Sequence, residues 1–316
     1  MNFKKELVLF FLFMFIFISC GKEEDELIKK DENEESQEGG GTNYSTTDVT
    51  YSGLWIKDSS TDWFSFMNYS YDQFTYNNIN YPDYRIIDFE AVNVGNEIKY
   101  TVIFMNDGTP DAYCLRCSKD KYDSHVDKMK PYDKIPIDYE QHYENNEWLY
   151  SIIWADADQG WSYRTNYKKN DFLNEVSQEY DFGRYLIDVE INYYGENYSG
   201  LFITEPYDYL FFWELSYNDI ISNISDAKSQ GYLPHDIEIH QKDGQKKYSG
   251  LLGKPDTPIE WDYALNLSPS EFSAKNTLMQ NSGYRPIDYE VHTTEEMVIG
   301  RKSSKNYKNR FERIRN

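Results

Sequence analysis

The chain has 316 residues, of which 54 are acidic and 32 basic, and a formal net charge of −22. Such acidity excludes binding to a nucleic acid through its phosphate backbone. Aromatic residues make up 17% of the chain, enough apolar surface to exclude disorder throughout. Three cysteines are too few for a disulfide framework.

The N-terminus predicts an export signal. Two lysines precede an unbroken apolar run, 7–18, which is shorter than the roughly 20 residues that span a bilayer. A small residue followed by Cys20 and a glycine resembles the lipobox of bacterial lipoproteins, although Phe17 stands where leucine is usual. We therefore expect a signal peptide over 1–19 and a lipid on Cys20, with an ordinary signal peptide as the alternative.

The next segment, 20–48, is predicted to be a disordered tether, because it is rich in acids and almost free of apolar residues. Acidic residues after a lipidated cysteine also resemble the export signal of some surface-exposed bacterial lipoproteins. The alternative is a spacer that holds the domain off the membrane. Both interpretations predict a membrane-anchored lipoprotein of the bacterial cell envelope, at the outer membrane or the cell surface.

The remaining residues, 49–316, are predicted to form one tandem-repeat domain of about five units. An Asp-x-Glu segment recurs with its aspartate at five positions, spaced by 50, 50, 48 and 52 residues: Asp88, Asp138, Asp188, Asp236 and Asp288. A Tyr-led segment begins at Tyr51, Tyr100, Tyr150, Tyr198 and Tyr248. A third segment begins near Trp63, Tyr113, Trp161, Phe211 and Trp261, and 297–300 is a degraded copy of the second.

Each unit is predicted to contain three short strands and one helix. The first two segments are rich in Tyr, Ile and Val, which favours strands. Ser268 and Glu271 form a capping-box pattern with proline between them, and Gly231 and Gly283 are typical helix ends. The predicted fold class is therefore mainly β with repeated short helices, in β-β-β-α units.

These segments together resemble the bacterial tandem repeat domain, which also forms the N-terminal half of polyglycine hydrolases. The resemblance rests on the strand around Asp288, the Tyr-Ser-Gly-Leu strands, the Trp-led strands and the helices that end in glycine. It implies a closed, propeller-like ring of repeats. The catalytic serine of polyglycine hydrolases lies in a separate β-lactamase-like domain, for which we find no counterpart in this sequence.

The repeats do not divide evenly, because the chain enters the domain at a second-type strand, which starts near Tyr51. In a closed ring, the strand 284–292 would complete the sheet begun by 51–56 and leave no exposed sheet edge. An open solenoid is the alternative.

The candidate site is the acidic face of the Asp-type strands. Residues two apart share a face of a strand, so Asp and Glu should share one side while Ile87 and Phe89 take the other. In three copies a histidine extends the acidic side. The candidate residues are Asp88, Glu90, Asp138, Glu140, His142, Asp188, Glu190, Asp236, Glu238, His240, Asp288, Glu290 and His292.

Three interpretations of this face compete. It could hold a divalent cation or a cationic ligand. Paired carboxylates could perform acid–base catalysis if crowding raised one pKa. In the third, which we favour, the carboxylates accept hydrogen bonds between units and recur because the fold recurs. No cofactor is otherwise predicted, and the metal, if any, is unknown.

Other candidates are weaker. Cys114 and Cys117 lie on a predicted strand, where residues three apart are about 10 Å apart and face opposite ways, so a disulfide would need a local turn. Most tryptophans are expected in the core, but Trp148 is less regular and could be exposed.

The sequence therefore predicts a lipoprotein with a non-catalytic binding or scaffolding module. Its partners would be the membrane, through the lipid, and a cell-surface polymer or a basic protein or peptide. The alternative is a hydrolase or hydrolase-accessory protein. It rests on the resemblance alone, because we find no nucleophile-and-base constellation that occurs once and breaks the repeat.

Overall fold

The computed structural model describes residues 49–94, 97–109, 112–144, 147–157, 159–192, 195–204 and 208–293. All of them belong to the second of two units into which the chain divides, Thr47–Asn316. The expected signal peptide, lipidated Cys20, tether and degraded segment 297–300 lie outside the described residues. Within the described ranges, none of the helices has the length and apolar character needed to cross a membrane.

These ranges contain fifteen strands and five helices, and the described fold is mainly β as predicted. The strands are β1 Val49–Lys57, β2 Asp62–Tyr69, β3 Arg85–Val94, β4 Glu97–Asn106, β5 Tyr113–Cys117, β6 Lys134–Glu144, β7 Glu147–Asp156, β8 Trp161–Tyr167, β9 Tyr185–Ile191, β10 Tyr198–Ile203, β11 Asp208–Leu215, β12 Leu233–Lys242, β13 Gln245–Lys254, β14 Trp261–Leu267 and β15 Tyr284–Thr293. The helices are α1 Tyr71–Asn80, α2 Lys119–Met129, α3 Lys169–Asp181, α4 Tyr217–Ser229 and α5 Pro269–Asn281.

The strands form five antiparallel sheets of three strands each. Their orders are β2-β4-β3 in sheet I, β5-β7-β6 in sheet II, β8-β10-β9 in sheet III, β11-β13-β12 in sheet IV and β14-β1-β15 in sheet V. The first strand in each order, which we call the leading strand, is followed in the chain by a helix and then by the last strand, the inner strand. The inner strand carries the Asp-x-Glu pair, and the Tyr-led middle strand lies between the other two.

Sheet V joins the two ends of the repeat region. Its middle strand, β1, pairs with β14 and β15, and Gly53 lies opposite Tyr289 in the register. This is the pairing expected between the strands near Tyr51 and Tyr284. The first strand of the domain therefore completes the sheet formed by its last described strands.

Every leading strand contains a bulge with one residue in the left-handed region. These residues have φ between 49° and 65°: Asn68, Arg116, Asn166, Glu214 and Asn266. In β5 the bulge brings the Cα atoms of Cys114 and Cys117 to 6.1 Å, and the two cysteines form a disulfide. The local turn that a disulfide requires is therefore provided by a bulge that all five sheets share.

The helices begin and end where the capping signals indicate. Ser268 and Glu271 form the expected capping box at the start of α5, and the Ser216 side chain caps α4. Gly231 and Gly283 follow their helices with φ of 85° and 75°, a conformation that glycine adopts without steric cost.

The apolar core lies between neighbouring sheets, under the helices. Between sheets I and II, Ile153 of β7 packs with Phe74 of α1 and Phe104 of β4. Between sheets V and I, Ile103 of β4 packs with Phe272 of α5. The same arrangement recurs in three further cores, where the middle-strand residues are Leu201, Leu251 and Leu54. Because each of these five cores draws on two sheets, every sheet depends on its neighbours to bury its apolar residues.

The inner strands also contact one another across the sheets. β3 contacts β6, β6 contacts β9, β9 contacts β12 and β12 contacts β15, and β15 in turn contacts β3. The Asp-x-Glu pairs of all five units are thereby brought to one place.

Candidate functional site

The carboxylates are positioned by a second bulge, this time on each inner strand. In sheet I the register passes from Ile86 opposite Phe104 to Asp88 opposite Ile103, so Ile87 has no partner. The same shift occurs before the aspartate of every other inner strand. Strict alternation would place Ile87 with Phe89, but the bulge moves Ile87 into the wall of the same cavity as Asp88.

All ten carboxylates of the candidate site line one narrow cavity of about 40 Å³. They are Asp88, Glu90, Asp138, Glu140, Asp188, Glu190, Asp236, Glu238, Asp288 and Glu290. A buried water occupies roughly 10–15 Å³ on this measure, so the space suits a few small species and no organic substrate. We call this space the axial cavity.

Four of the five aspartates accept a backbone N–H from the preceding inner strand. Val189 donates to Asp236 Oδ2 over 2.8 Å, and Tyr289 donates to Asp88 Oδ2 over 3.3 Å. The other two donors are Phe89, to Asp138, and Ile237, to Asp288. The bond from Tyr289 to Asp88 joins the last inner strand to the first.

Two glutamates make the same kind of bond one step further along the strands. Ile191 donates to Glu238 Oε1 over 3.3 Å, and Ile239 donates to Glu290 Oε1 over 3.2 Å. The Oδ2 atoms of Asp138 and Asp188 are buried and have no hydrogen-bond partner among the described residues. Most of the acidic face therefore serves as hydrogen-bond acceptors for neighbouring units, which is the structural interpretation.

Burial raises the pKa of these carboxyls, because the charged form loses its water. Burial raises the pKa of Asp138 to about 8, with a further contribution from the charge of Asp236, and that of Asp236 to about 7. The pKa of Asp88, Asp188 and Asp288 lies well above the ordinary value, through burial first and neighbouring carboxylates second. The pKa is raised in the same way for Glu90, Glu140, Glu238 and Glu290. The cavity therefore holds protons that exposed carboxyls would release at neutral pH.

The three predicted histidines do not belong to the described lining of the axial cavity. His142 is buried beside the ring of Tyr100, His240 is fully buried, and His292 Nε2 lies 3.1 Å from Gln241 Nε2. Burial lowers the pKa of His142 and His240 to about 4 and that of His292 to about 3. They are therefore neutral imidazoles that lie further along the strands than the carboxylates.

The described residues include no group of three or more His, Cys, Asp or Glu side chains arranged to hold a metal ion. The ten carboxylates line one cavity, and six of them direct an oxygen toward a backbone N–H of a neighbouring inner strand.

One residue at the axial cavity departs from the repeat. His235 occupies the bulge position at which the other four units carry isoleucine. It fits because the neighbouring strand carries Gly253, where a Cβ would lie 2.4 Å from His235 Nε2. The sequence signal was the break in the Ile-Asp pattern, but the matching glycine is visible only in the structure.

A second, larger cavity of about 440 Å³ lies between sheets I and II. Its wall includes Tyr100 and Arg116, neither of which the sequence indicated as a site residue. The nearest signal was the position of Arg116 inside the Cys-x-x-Cys segment.

Comparison with known families identifies one match within the chain. A family model described as a polyglycine hydrolase-like structural repeat matches residues 258–296. This span contains β14, α5 and β15, the leading strand, helix and inner strand of sheet V. No curated protein sequence matches the chain. The match supports a repeat domain.

Proposed function

We propose that the chain is a non-catalytic binding or scaffolding module, held at the bacterial cell envelope by a lipid on Cys20. The observation that carries this proposal is that the acidic face forms hydrogen bonds between the units of the domain. The same carboxylates recur in five units, and most accept backbone hydrogen bonds from a neighbouring unit. A catalytic site would instead require a constellation that occurs once.

The proposal includes a closed, propeller-like ring in place of an open solenoid. Support comes from the pairing of β1 with β15 and from the contact of β15 with β3. The hydrogen bond from Tyr289 to Asp88 links the same two inner strands. An open solenoid would leave its first and last units apart, whereas a closed ring places β15 beside β3 and lets β1 complete the last sheet.

A location outside the cytoplasm is supported by the disulfide between Cys114 and Cys117, because disulfides persist mainly in oxidising compartments. The lipobox-like segment and the acidic tether agree with it. The proposed partners are the membrane, through the lipid, and a cell-surface polymer or a basic protein or peptide. The net charge of −22 favours cations over nucleic acids.

The matched family model describes a structural repeat, so we carry over no reaction from polyglycine hydrolases. A divalent cation in the axial cavity is a secondary proposal, since its oxygens are those that hard cations prefer. Melting the protein in calcium, zinc and EDTA tests it, and no shift with any of the three would remove it.

The anchor is tested by metabolic labelling of cells with an alkyne fatty acid. The full chain should incorporate the label, and Cys20→Ala should lose it. Cys114→Ser is the matched control, because it removes a cysteine of the folded domain and should leave the label in place. A chain that remains labelled after Cys20→Ala, or is never labelled, would contradict the lipoprotein proposal.

A further inference from the structure

At two junctions, a side-chain contact joins the left-handed residue of the leading strand to the preceding sheet. Between sheets III and IV, the hydroxyl of Tyr198 lies 2.6 Å from Glu214 Oε1 and 2.7 Å from the carbonyl oxygen of Gly195, two acceptors that share its single hydrogen. Between sheets IV and V, Asn266 Nδ2 donates to the hydroxyl of Tyr248. In both places the left-handed residue provides a partner for the first tyrosine of the middle strand.

Sheets I and II depart from this pattern. Arg116 holds the left-handed position, but its guanidinium pairs with Glu144, with Nε 3.1 Å from Oε2, and lies 4.0 Å from the centroid of the Tyr71 ring. The tyrosine that it would otherwise reach, Tyr100, is only 1% exposed. Its hydroxyl has no hydrogen-bond partner among the described residues. A buried hydroxyl left unpaired is unfavourable unless a partner arrives from outside the protein.

Tyr100 belongs to the lining of the cavity of about 440 Å³ between these two sheets, so a partner in the cavity lies beside this side chain. Because the hydroxyl itself is buried, a bond to it requires the side chains that cover it to shift. The volume lies within the roughly 300–1,000 Å³ typical of small-molecule sites. Tyr71, Tyr143, Asn93 and Glu144 share its lining. Trp148, with 43% of its surface exposed, packs edge-on against Tyr143 at 5.3 Å and extends the aromatic wall toward solvent.

We propose that this cavity binds a neutral saccharide, with a sugar hydroxyl bonded to the hydroxyl of Tyr100. The assignment rests on the proposed function of the domain as a binding module. Aromatic rings suit the C–H faces of a sugar, while the amide and carboxylate suit its hydroxyls. Three acidic residues of the lining, Asp72, Glu97 and Glu144, disfavour an anion. Beside Tyr100, the guanidinium of Arg116 is paired with the carboxylate of Glu144, so these two groups together add no net charge there and suit a neutral hydroxyl.

The test measures binding to the full chain by calorimetry, with maltotriose, cellotriose and xylotriose as neutral probes. Trilysine and a galacturonate trisaccharide are the charged comparisons. At least one neutral trisaccharide should bind, and Tyr100→Phe should weaken that binding by about fivefold, the effect of one lost hydrogen bond. Tyr100→Phe should not lower the melting temperature, because the hydroxyl has no partner in the fold.

Tyr198→Phe is the matched control, since it removes a hydroxyl at the equivalent position that is already bonded within the protein. It should lower the melting temperature and leave saccharide binding unchanged. The proposal is overturned if no neutral trisaccharide binds, if Tyr100→Phe binds as tightly as the parent, or if only a charged probe binds.

These outcomes are separable from a failure of the proposed function. If the chain incorporates the fatty-acid label but binds none of the three trisaccharides, the saccharide site is overturned and the lipid anchor is retained. A chain that binds a trisaccharide and cleaves it would keep the site and overturn the non-catalytic proposal.

Discussion

His235 and Gly253 show how a single residue can depart from the repeat without disturbing it. The other four units place an isoleucine at the bulge, whereas here an imidazole lies against the position of Gly253. Burial lowers the pKa of His235 to about 4, so the ring is neutral and adds no charge to the axial cavity. On these two neighbouring strands of sheet IV, the histidine at the bulge is therefore accommodated by the missing side chain of Gly253.

Gly253→Ala should destabilise the domain, because its Cβ would lie 2.4 Å from His235 Nε2. Overpacking of this kind costs about 1–3 kcal/mol. The same substitution in a His235→Ala background should cost much less, since the contacts with the imidazole would be gone and Tyr209 Cε1, at 3.3 Å, would be the nearest remaining atom of the three. Chemical denaturation of the four variants gives the coupling free energy, and an equal cost in both backgrounds would contradict the account.

At the scale of the element, the bulge in four of the five leading strands is supported by the serine of the Tyr-Ser segment. Ser199 Oγ accepts the N–H of Asn166 over 3.1 Å, and Ser249 Oγ accepts that of Glu214 over 3.2 Å. Ser52 and Ser151 accept the equivalent N–H groups in sheets V and II. The bulge removes one N–H from the ladder, and the hydroxyl replaces the missing acceptor.

Ser199→Ala should therefore cost about 1–3 kcal/mol, because it leaves the N–H of Asn166 without its acceptor. Sheet I offers the matched control, since Thr101 holds the same position and its buried hydroxyl has no partner among the described residues. Thr101→Val should leave the free energy of unfolding almost unchanged. Equal effects of the two substitutions in urea denaturation would show that the serine has no such role.

The elements themselves were predictable from the sequence, and their irregularities were not. The capping box at Ser268 and the glycine stops depend on local patterns, and the period is visible in five copies of the Asp-x-Glu segment, so all of them could be predicted. The bulges depend on pairing between strands far apart in the chain, which strict alternation does not anticipate. For this reason alternation groups Ile87 with Phe89, whereas Ile87 packs against a different core and also lines the axial cavity. Alternation also does not decide whether Cys114 and Cys117 form a disulfide.

The candidate site was predictable to the same extent. Alternation predicts that Asp and Glu share one side of each strand, and a closed ring, which the resemblance implies, would place the five pairs in one space. The use of their oxygens did not follow, because it depends on which backbone amides the neighbouring sheets present. The unpaired hydroxyl of Tyr100 could not be predicted from the sequence either. It depends on the pairing of Arg116 with Glu144, whereas Glu214, at the equivalent position, accepts a hydrogen bond from Tyr198.

At the scale of the whole molecule, the first strand stabilises the last sheet. Trp55 of β1 is fully buried and packs with Phe272 and Tyr289 of sheet V, in a core that also contains Ile103 of sheet I. Loss of these contacts would weaken the junction between the first and last units. In a closed ring, that weakness is shared by all five sheets.

Trp55→Ala should lower the free energy of unfolding by about 3–5 kcal/mol, the usual cost of truncating a buried aromatic residue. The unfolding should remain a single transition, because the units depend on both neighbours. Trp148→Ala, on another middle strand but 43% exposed, is the control and should cost far less. A separate early transition in Trp55→Ala would instead favour an open solenoid.

The axial cavity makes the stability of the whole molecule depend on pH. Its carboxyls have a raised pKa in the folded state, so the folded chain holds protons that the unfolded chain releases. This contribution is fully present below the ordinary carboxyl range. It is lost as the pH rises through the folded pKa values, about 7 for Asp236 and about 8 for Asp138.

The buried histidines act in the opposite direction, because their folded pKa is lowered. Their contribution is present above the ordinary pKa of 6.5 and is lost as the pH falls toward about 4 for His142 and His240. Above pH 6.5, the change of stability with pH therefore reflects the ionisation of the carboxyls, with little contribution from the histidines.

Lowering the pH from 8 to 6.5 should therefore raise the melting temperature. Each carboxyl that stays protonated in the folded state contributes about 1.4 kcal/mol per pH unit. Asp138→Asn, which cannot ionise but retains an acceptor for Phe89 N–H, should be more stable than the parent at pH 8 and should reduce the slope. Asp138→Ala should be less stable at every pH, since it removes that acceptor. A melting temperature that rises with pH over this range would instead indicate ionised carboxylates. Ionised carboxylates could remain together in so small a space only around a bound cation. The same melts are therefore repeated with EDTA, which should change the melting temperature only if a metal ion is bound.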